Sequence, residues 1–111
     1  MVICIPVAED GHVDPRWGRA NRVAIAQVTA AGIAAWQEYE VGWNELHDAG
    51  TEGSHHARVA AFLREQHVEA VVAGHMGPPM VHMLELMRVK VWLGAHGDAG
   101  EAALEAIRRS S

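Results

Sequence analysis

Apolar positions change their period partway along this chain and divide it into an extended half and a half where strands alternate with helices. Val2-Ile3-Cys4-Ile5-Pro6-Val7 is a short apolar run, rich in β-branched residues and ended by Glu9-Asp10-Gly11. Such a run predicts a fully buried strand over 2–8. Asp14-Pro15-Arg16-Trp17-Gly18-Arg19-Ala20 reads as a loop. Two extended segments, 22–29 and 33–41, follow, and the tight link Ala30-Ala31-Gly32 marks them as a hairpin. Their alanines are poor strand formers and leave 22–41 open to a helical reading. The glycine, and the alternation of Trp36, Glu38 and Glu40 against Tyr39 and Val41, favour strands.

After a polar loop over 42–53 the period becomes helical. Ala57, Ala60, Ala61, Leu63 and Arg64 place a helix over 54–66, with Ser54 as its N-cap. Residues 68–74 form a buried strand. Pro78 and Pro79 then open a helix in its first turn, where proline is tolerated. Residues 89–93 are a further strand. A last helix over 98–109 ends in Arg108 and Arg109, which complement its dipole. The order βββαβαβα implies an α/β fold: a mixed sheet with helices on its faces and right-handed crossovers beside the first strand.

Composition narrows the function classes. A chain of 111 residues is expected to form one domain over 1–111, with half its residues apolar and a fifth charged. A formal charge of −5, with Lys90 the only lysine, argues against binding nucleic acid through its phosphates. Cys4 is the only cysteine and lies inside the first strand. It is expected to pack as a small hydrophobe, and alone it cannot assemble an iron–sulfur cluster. With no basic-then-apolar leader and no apolar run near 18 residues, a cytoplasmic protein that does not enter membranes is expected.

The chemistry gathers in eight histidines around two glycine-rich junctions, Gly50–His56 and Ala73–Met80. His75 follows a buried strand and precedes Met76-Gly77-Pro78, at the carboxyl edge where open α/β sheets bind ligands. The helix start beyond it would add backbone N–H groups and a positive dipole end. His75 is thus a donor for a soft metal or cluster, or simply fills the loop. His55 and His56 are neighbours on a helix, about 100° apart. One of them, taken as His55, could face the crevice while the other is solvated.

His47 lies in a loop, His82 reads as surface, His67 sits at a helix C-terminus, and His12 and His96 have no visible partner. Met76, Met80, Met83 and Met87 repeat at core spacing, with Met76 the candidate for a soft contact at the crevice mouth. Trp17-Gly18-Arg19 could cradle a planar or anionic ligand. Alternatively Trp17 closes the core edge and Arg19 pairs with a carboxylate. Trp43 is a lid or a packing residue. The chain has no His-x-x-x-His or Cys-x-x-Cys spacing, no nucleophile with an adjacent base and no phosphate-binding glycine motif.

Taken together, Ile3-Cys4-Ile5-Pro6-Val7, Pro15-Arg16-Trp17-Gly18-Arg19-Ala20, Val68–Pro78 and Val89-Lys90-Val91 resemble the dinitrogenase iron–molybdenum cofactor biosynthesis family, from about residue 2 to 107. The resemblance implies a ribonuclease-H-like α/β fold with a five-stranded mixed sheet of order 3-2-1-4-5, strand 2 running antiparallel. It also implies binding or carriage of an iron–molybdenum-type cofactor or another metal–sulfur cluster, with a cofactor donor or acceptor protein as partner. Arg16 and Trp17 stand where the family commonly has histidine and phenylalanine, so a loop histidine is missing. Loop cysteines found in some members are absent too.

The resulting expectation is a non-enzymatic carrier. Arg16, Trp17, Gly18, Arg19, Met76, Gly77 and Pro78 would bind the cofactor, and His55 and His75 would supply metal donors. The alternatives are an interaction or regulatory module that has lost the ligand, and, last, a metal-dependent hydrolase built on Glu9, Asp10 and Asp14.

Overall fold

The computed structural model describes residues 1–47 and 50–110. In chain order the elements are β1 (Val2–Pro6), a 3-10 turn (Trp17–Arg19), β2 (Arg22–Thr29), β3 (Gly32–Glu40), α1 (Trp43–His47), α2 (Glu52–Glu65), β4 (Ala70–Val72), α3 (Pro78–Leu86), β5 (Lys90–Trp92) and α4 (Ala99–Ser110). The five strands form one mixed sheet in the order β3-β2-β1-β4-β5. β1 pairs antiparallel with β2 and parallel with β4, β2 pairs antiparallel with β3, and β4 parallel with β5.

β1 is central because its side chains can be buried on both faces. Cys4 points into a core shared with Val59 and Leu63 of α2 and Met80 and Leu84 of α3. Ile3 and Ile5 point the other way, into a core closed by Ala99, Ala103 and Ala106 of α4. Alanine dominates that stripe of α4, so the helix approaches the sheet closely. The architecture is therefore three layers, helices on both faces of a sheet.

Several boundaries shift, each for a physical reason. β1 ends at Pro6, whose ring cannot donate to a ladder, and β4 and β5 are three-residue cores of the longer runs expected. The expected loop 42–53 contains α1, while residues 48 and 49 lie outside the described residues. A five-residue helix is marginal alone. Here it is anchored by Trp43, which is buried edge-on against Trp17 at 5.1 Å and Phe62 at 5.9 Å between ring centroids. Trp43 is thus a packing residue, and the lid alternative falls away.

α2 begins two residues earlier than expected. Its N-cap is Thr51, and Ser54 is the other half of a reciprocal box: Ser54 N–H donates to Thr51 Oγ1, and Thr51 N–H to Ser54 Oγ, both at 3.1 Å.

Candidate functional site

The chain between β1 and β2 is shaped first by Asp14. Its N–H donates to Pro6 O at 3.0 Å, and its Oδ1 accepts from Arg16 N–H at 2.9 Å and from Arg16 Nε at 3.4 Å. Asp14 is buried, so it holds the turn from inside while Arg16 remains exposed. Arg16 forms an isolated parallel bridge with His75, which brings this loop alongside the one after β4. Gly74 allows the approach. A Cβ there would lie 3.1 Å from Ala95 O and 3.6 Å from Pro15 Cα, so three loops meet around a position where a side chain would push against backbone.

These loops and the first turns of α2 and α3 enclose a cleft of about 300 Å³. Arg16, Trp17, Gly18 and Arg19 form one wall, Glu52, His55 and His56 a second, and His75, Met76, Gly77, Pro79 and Met80 a third. Of the residues expected to bind the cofactor or supply metal donors, all but Pro78 line the cleft.

The histidines differ sharply. His55 is 3% exposed. Its Nε2 lies 2.9 Å from Gly18 O and its Nδ1 3.2 Å from Arg58 Nη1. A neutral ring with its proton on Nε2 satisfies both contacts, donating to the carbonyl and accepting from the guanidinium. Arg58 also reaches Leu46 O at 3.4 Å, so one network ties the 3-10 turn, α1 and α2 together. His56, which sequence reading left in solvent, is half-buried on the cleft wall, with Nε2 3.8 Å from Glu52 Oε1 one helical turn earlier. His75 is exposed at the third wall.

The start of α3 is poorer in donors than its dipole suggests. Gly77 is the N-cap, with no side-chain capping bond, and Pro78 and Pro79 occupy the first two positions. Neither proline carries an N–H. The amides of Gly77 and Met80 are what this end can offer of the backbone N–H groups expected there. Gly18 and Gly77 are both roomy: an added Cβ would meet only His55 Nε2 at 3.8 Å and Pro79 Cδ at 3.9 Å. Packing does not require glycine at either position, and its absence of side chain leaves the backbone open to a ligand.

Trp17 closes the cleft floor at 2% exposure, and its indole N–H has no hydrogen-bond partner among the described residues. Met76 and Met80 are buried and serve the core as well as the cleft. Cys4 takes no part: burial pushes its thiol up, so it stays protonated and is no thiolate ligand.

Glu9, Asp10 and Asp14 line a different hollow of about 860 Å³, with Glu40 and Glu45. Asp10 there has its carboxyl held below the usual range, chiefly by the backbone N–H of His12. Among the described residues no three histidine, cysteine or acidic side chains converge as a metal site in either hollow.

Pro15, Glu52, His56, Pro79 and Met80 also line the cleft and were not among the residues expected to bind there. Placing the N-cap at Thr51 would have put Glu52 and His56 one turn apart on a single helix face.

The fold and the cleft define a class: a mixed-sheet α/β domain with a small open pocket at the carboxyl ends of its central parallel strands. The family described as dinitrogenase iron–molybdenum cofactor matches residues 1–110, and the chain belongs to that family. No curated protein matches it. Among solved structures it is similar to the crystal structure of PH0822, at TM-score 0.75 and 14% identity over 100% of this chain and 93% of that one. It is also similar to the apo form of the orange protein from Desulfovibrio gigas, at TM-score 0.72 and 23% identity over 98% and 88%. A third similarity is to a NifB-like protein of the DUF35 family from Thermotoga (TM1290), at TM-score 0.69 and 23% identity over 97% and 87%. At these identities the likenesses establish the fold. No helix among the described residues is long and apolar enough to cross a membrane.

Proposed function

We propose that this chain binds and carries an iron–molybdenum-type cofactor or a related metal–sulfur cluster, and performs no bond chemistry on it. The observation that supports the reading is the meeting of Arg16, Trp17, Gly18 and Arg19 with His75, Met76 and Gly77 around one cleft of about 300 Å³. Family membership supplies the class of cargo.

The donor set suits loose holding. Metal–sulfur clusters are commonly anionic, and the guanidinium groups of Arg16 and Arg19 would oppose that charge. His75, exposed at the rim, is an imidazole able to ligate without giving up a hydrogen bond. His55 was expected to ligate too, but both its nitrogens are engaged, so in this reading it positions the Gly18 carbonyl and the loop. A cargo held by charge and one or two bonds can be passed on, which suits delivery between a donor and an acceptor protein.

Residues 1–111 act in this reading as one cytoplasmic domain that binds neither nucleic acid nor membrane. Its sheet order, with β2 antiparallel, is in keeping with a ribonuclease-H-like fold.

The test is anaerobic incubation of apo-protein with iron–sulfide and thiomolybdate species, followed by gel filtration and elemental analysis. Stoichiometric metal is expected to co-elute with the wild-type chain and to fall in His75→Ala. Metal retained equally by both would remove His75 from the site. No metal in either would turn the reading toward an interaction module.

A further inference from the structure

The two faces of the sheet are covered unequally. α2 and α3 share one face, whereas α4 packs against the other. A helix is about 10 Å across, and five strands spaced about 4.8 Å apart span roughly 19 Å. α4 lays its stripe of Ala99, Ala103 and Ala106 over β1, β2 and β4, which leaves room beside the β5 border. Alternation along β5 sends Val91 toward the α2–α3 core and turns Trp92 to the α4 side.

A hollow of about 220 Å³ remains between Trp92 and the next stripe of α4. Its floor is apolar: Val72 and Ala106 are buried, and Trp92 and Ala102 half-buried. The loop after β5 forms another wall. Gly94 there holds a φ of +84°, its N–H donates to Gly74 O at 3.0 Å, and Ala95 N–H donates to Ala73 O at 3.1 Å. These bonds fix the wall in place.

The rim is charged and polarised. Two guanidinium groups meet one carboxylate, with Glu105 Oε2 3.2 Å from Arg108 Nη1 and Glu105 Oε1 3.6 Å from Arg109 Nε. Glu101 lines the same hollow seven residues before Arg108, about 10 Å back along the helix axis. The hollow therefore joins an aromatic floor to a rim that is acidic at one end and rich in arginine at the other.

We propose that this hollow binds a small aromatic carboxylate, its ring against the Trp92 indole and its carboxylate at the arginine end beside Arg109. Paired rings attract beyond the area they bury, and a guanidinium matches a carboxylate in both charge and planar geometry. The volume lies below the roughly 300–1,000 Å³ of sites for drug-sized ligands, so a molecule of one or two rings fits. The hollow shares no lining residue with the cleft, and the inference does not depend on the carrier reading.

The probe is phenylpropionate, titrated into the isotope-labelled full chain and followed by amide and indole N–H resonances at constant pH and ionic strength. The Trp92 indole signal is assigned by its loss in Trp92→Leu. Saturable shifts are expected at that indole and along Ala102–Arg109. Phenylethylamine, with an ammonium in place of the carboxylate, and cyclohexylpropionate, without the aromatic ring, should both bind more weakly. Trp92→Leu should raise the Kd for phenylpropionate about 2- to 10-fold. Arg109→Gln should raise it about 2- to 5-fold, and Arg109→Glu more. Circular dichroism and thermal melting check that the variants fold; if Trp92→Leu does not, the arginine series and the amine comparison still decide. An absence of saturable shifts, an amine that binds as well as the carboxylate, an unchanged Kd in both Arg109 variants, or shifts confined to Trp17 and His75 of the cleft would each overturn the proposal.

Discussion

Two helix starts face the same cleft and are built on opposite plans. The start of α2 is closed: Thr51 and Ser54 cap each other, and His55 is buried with both ring nitrogens hydrogen-bonded. The start of α3 is open: Gly77 carries no capping side chain, two prolines remove N–H groups, and the neighbouring His75 is exposed. Identical side chains therefore do different work. A histidine with both nitrogens engaged is scaffold, and one with nitrogens facing water is available to a ligand.

The contrast is sharpest in stability. His55→Ala should cost about 2–3 kcal/mol, because it empties a buried site and strands the Gly18 carbonyl and the Arg58 guanidinium. Thermal unfolding should report this as a fall of roughly 10 °C. A change near zero would mean that the 3-10 turn holds itself, and the scaffold role would be lost. Thr51→Ala removes one half of the capping box and should cost about 1 kcal/mol, measured in the same way.

At the open start the effects should move from stability to binding. His75→Ala should alter stability by less than about 0.5 kcal/mol while reducing metal retention after gel filtration. Gly77→Ala tests whether an open backbone matters. Its extended φ of −67° and its free space predict no loss of stability, but weaker retention if the cargo approaches the Gly77 backbone closely. Loss of stability in either variant would erase the distinction between the two starts.

Much of this molecule was legible in the sequence, and the exceptions share a cause. β2 and β3 fall on the expected extended segments because the hairpin glycine Gly32 and the alternation along 36–41 are local signals. The start of α3 at Pro78 is local in the same way. α1 was not legible, since its one strong anchor, Trp43, is held by rings distant in sequence. The N-cap of α2 was misplaced because Thr51 and Ser54 both have capping side chains and in fact bond each other. The sheet order came from the family resemblance and agrees with the pairing observed.

At the cleft, residue types and loop positions pointed to the walls, but not to who is occupied. The partner of His55 Nε2 is a carbonyl 37 residues away, a contact no local pattern encodes. His56 is the reverse case: helix geometry alone leaves it in solvent, whereas the fold half-buries it on the cleft wall.

The rings behind the cleft have an optical consequence. Trp17 meets Trp43, Trp43 meets Phe62, and Phe62 meets Tyr39, with centroids 5.1, 5.9 and 5.6 Å apart and every pair edge-on. Tyr39 is the sole tyrosine, and it stands on the border strand, while Trp17 lines the cleft. Light absorbed by that phenol can pass inward to the indoles. A coloured, electron-rich occupant beside Trp17 would quench the emission, giving the protein a built-in fluorescent gauge of its own loading.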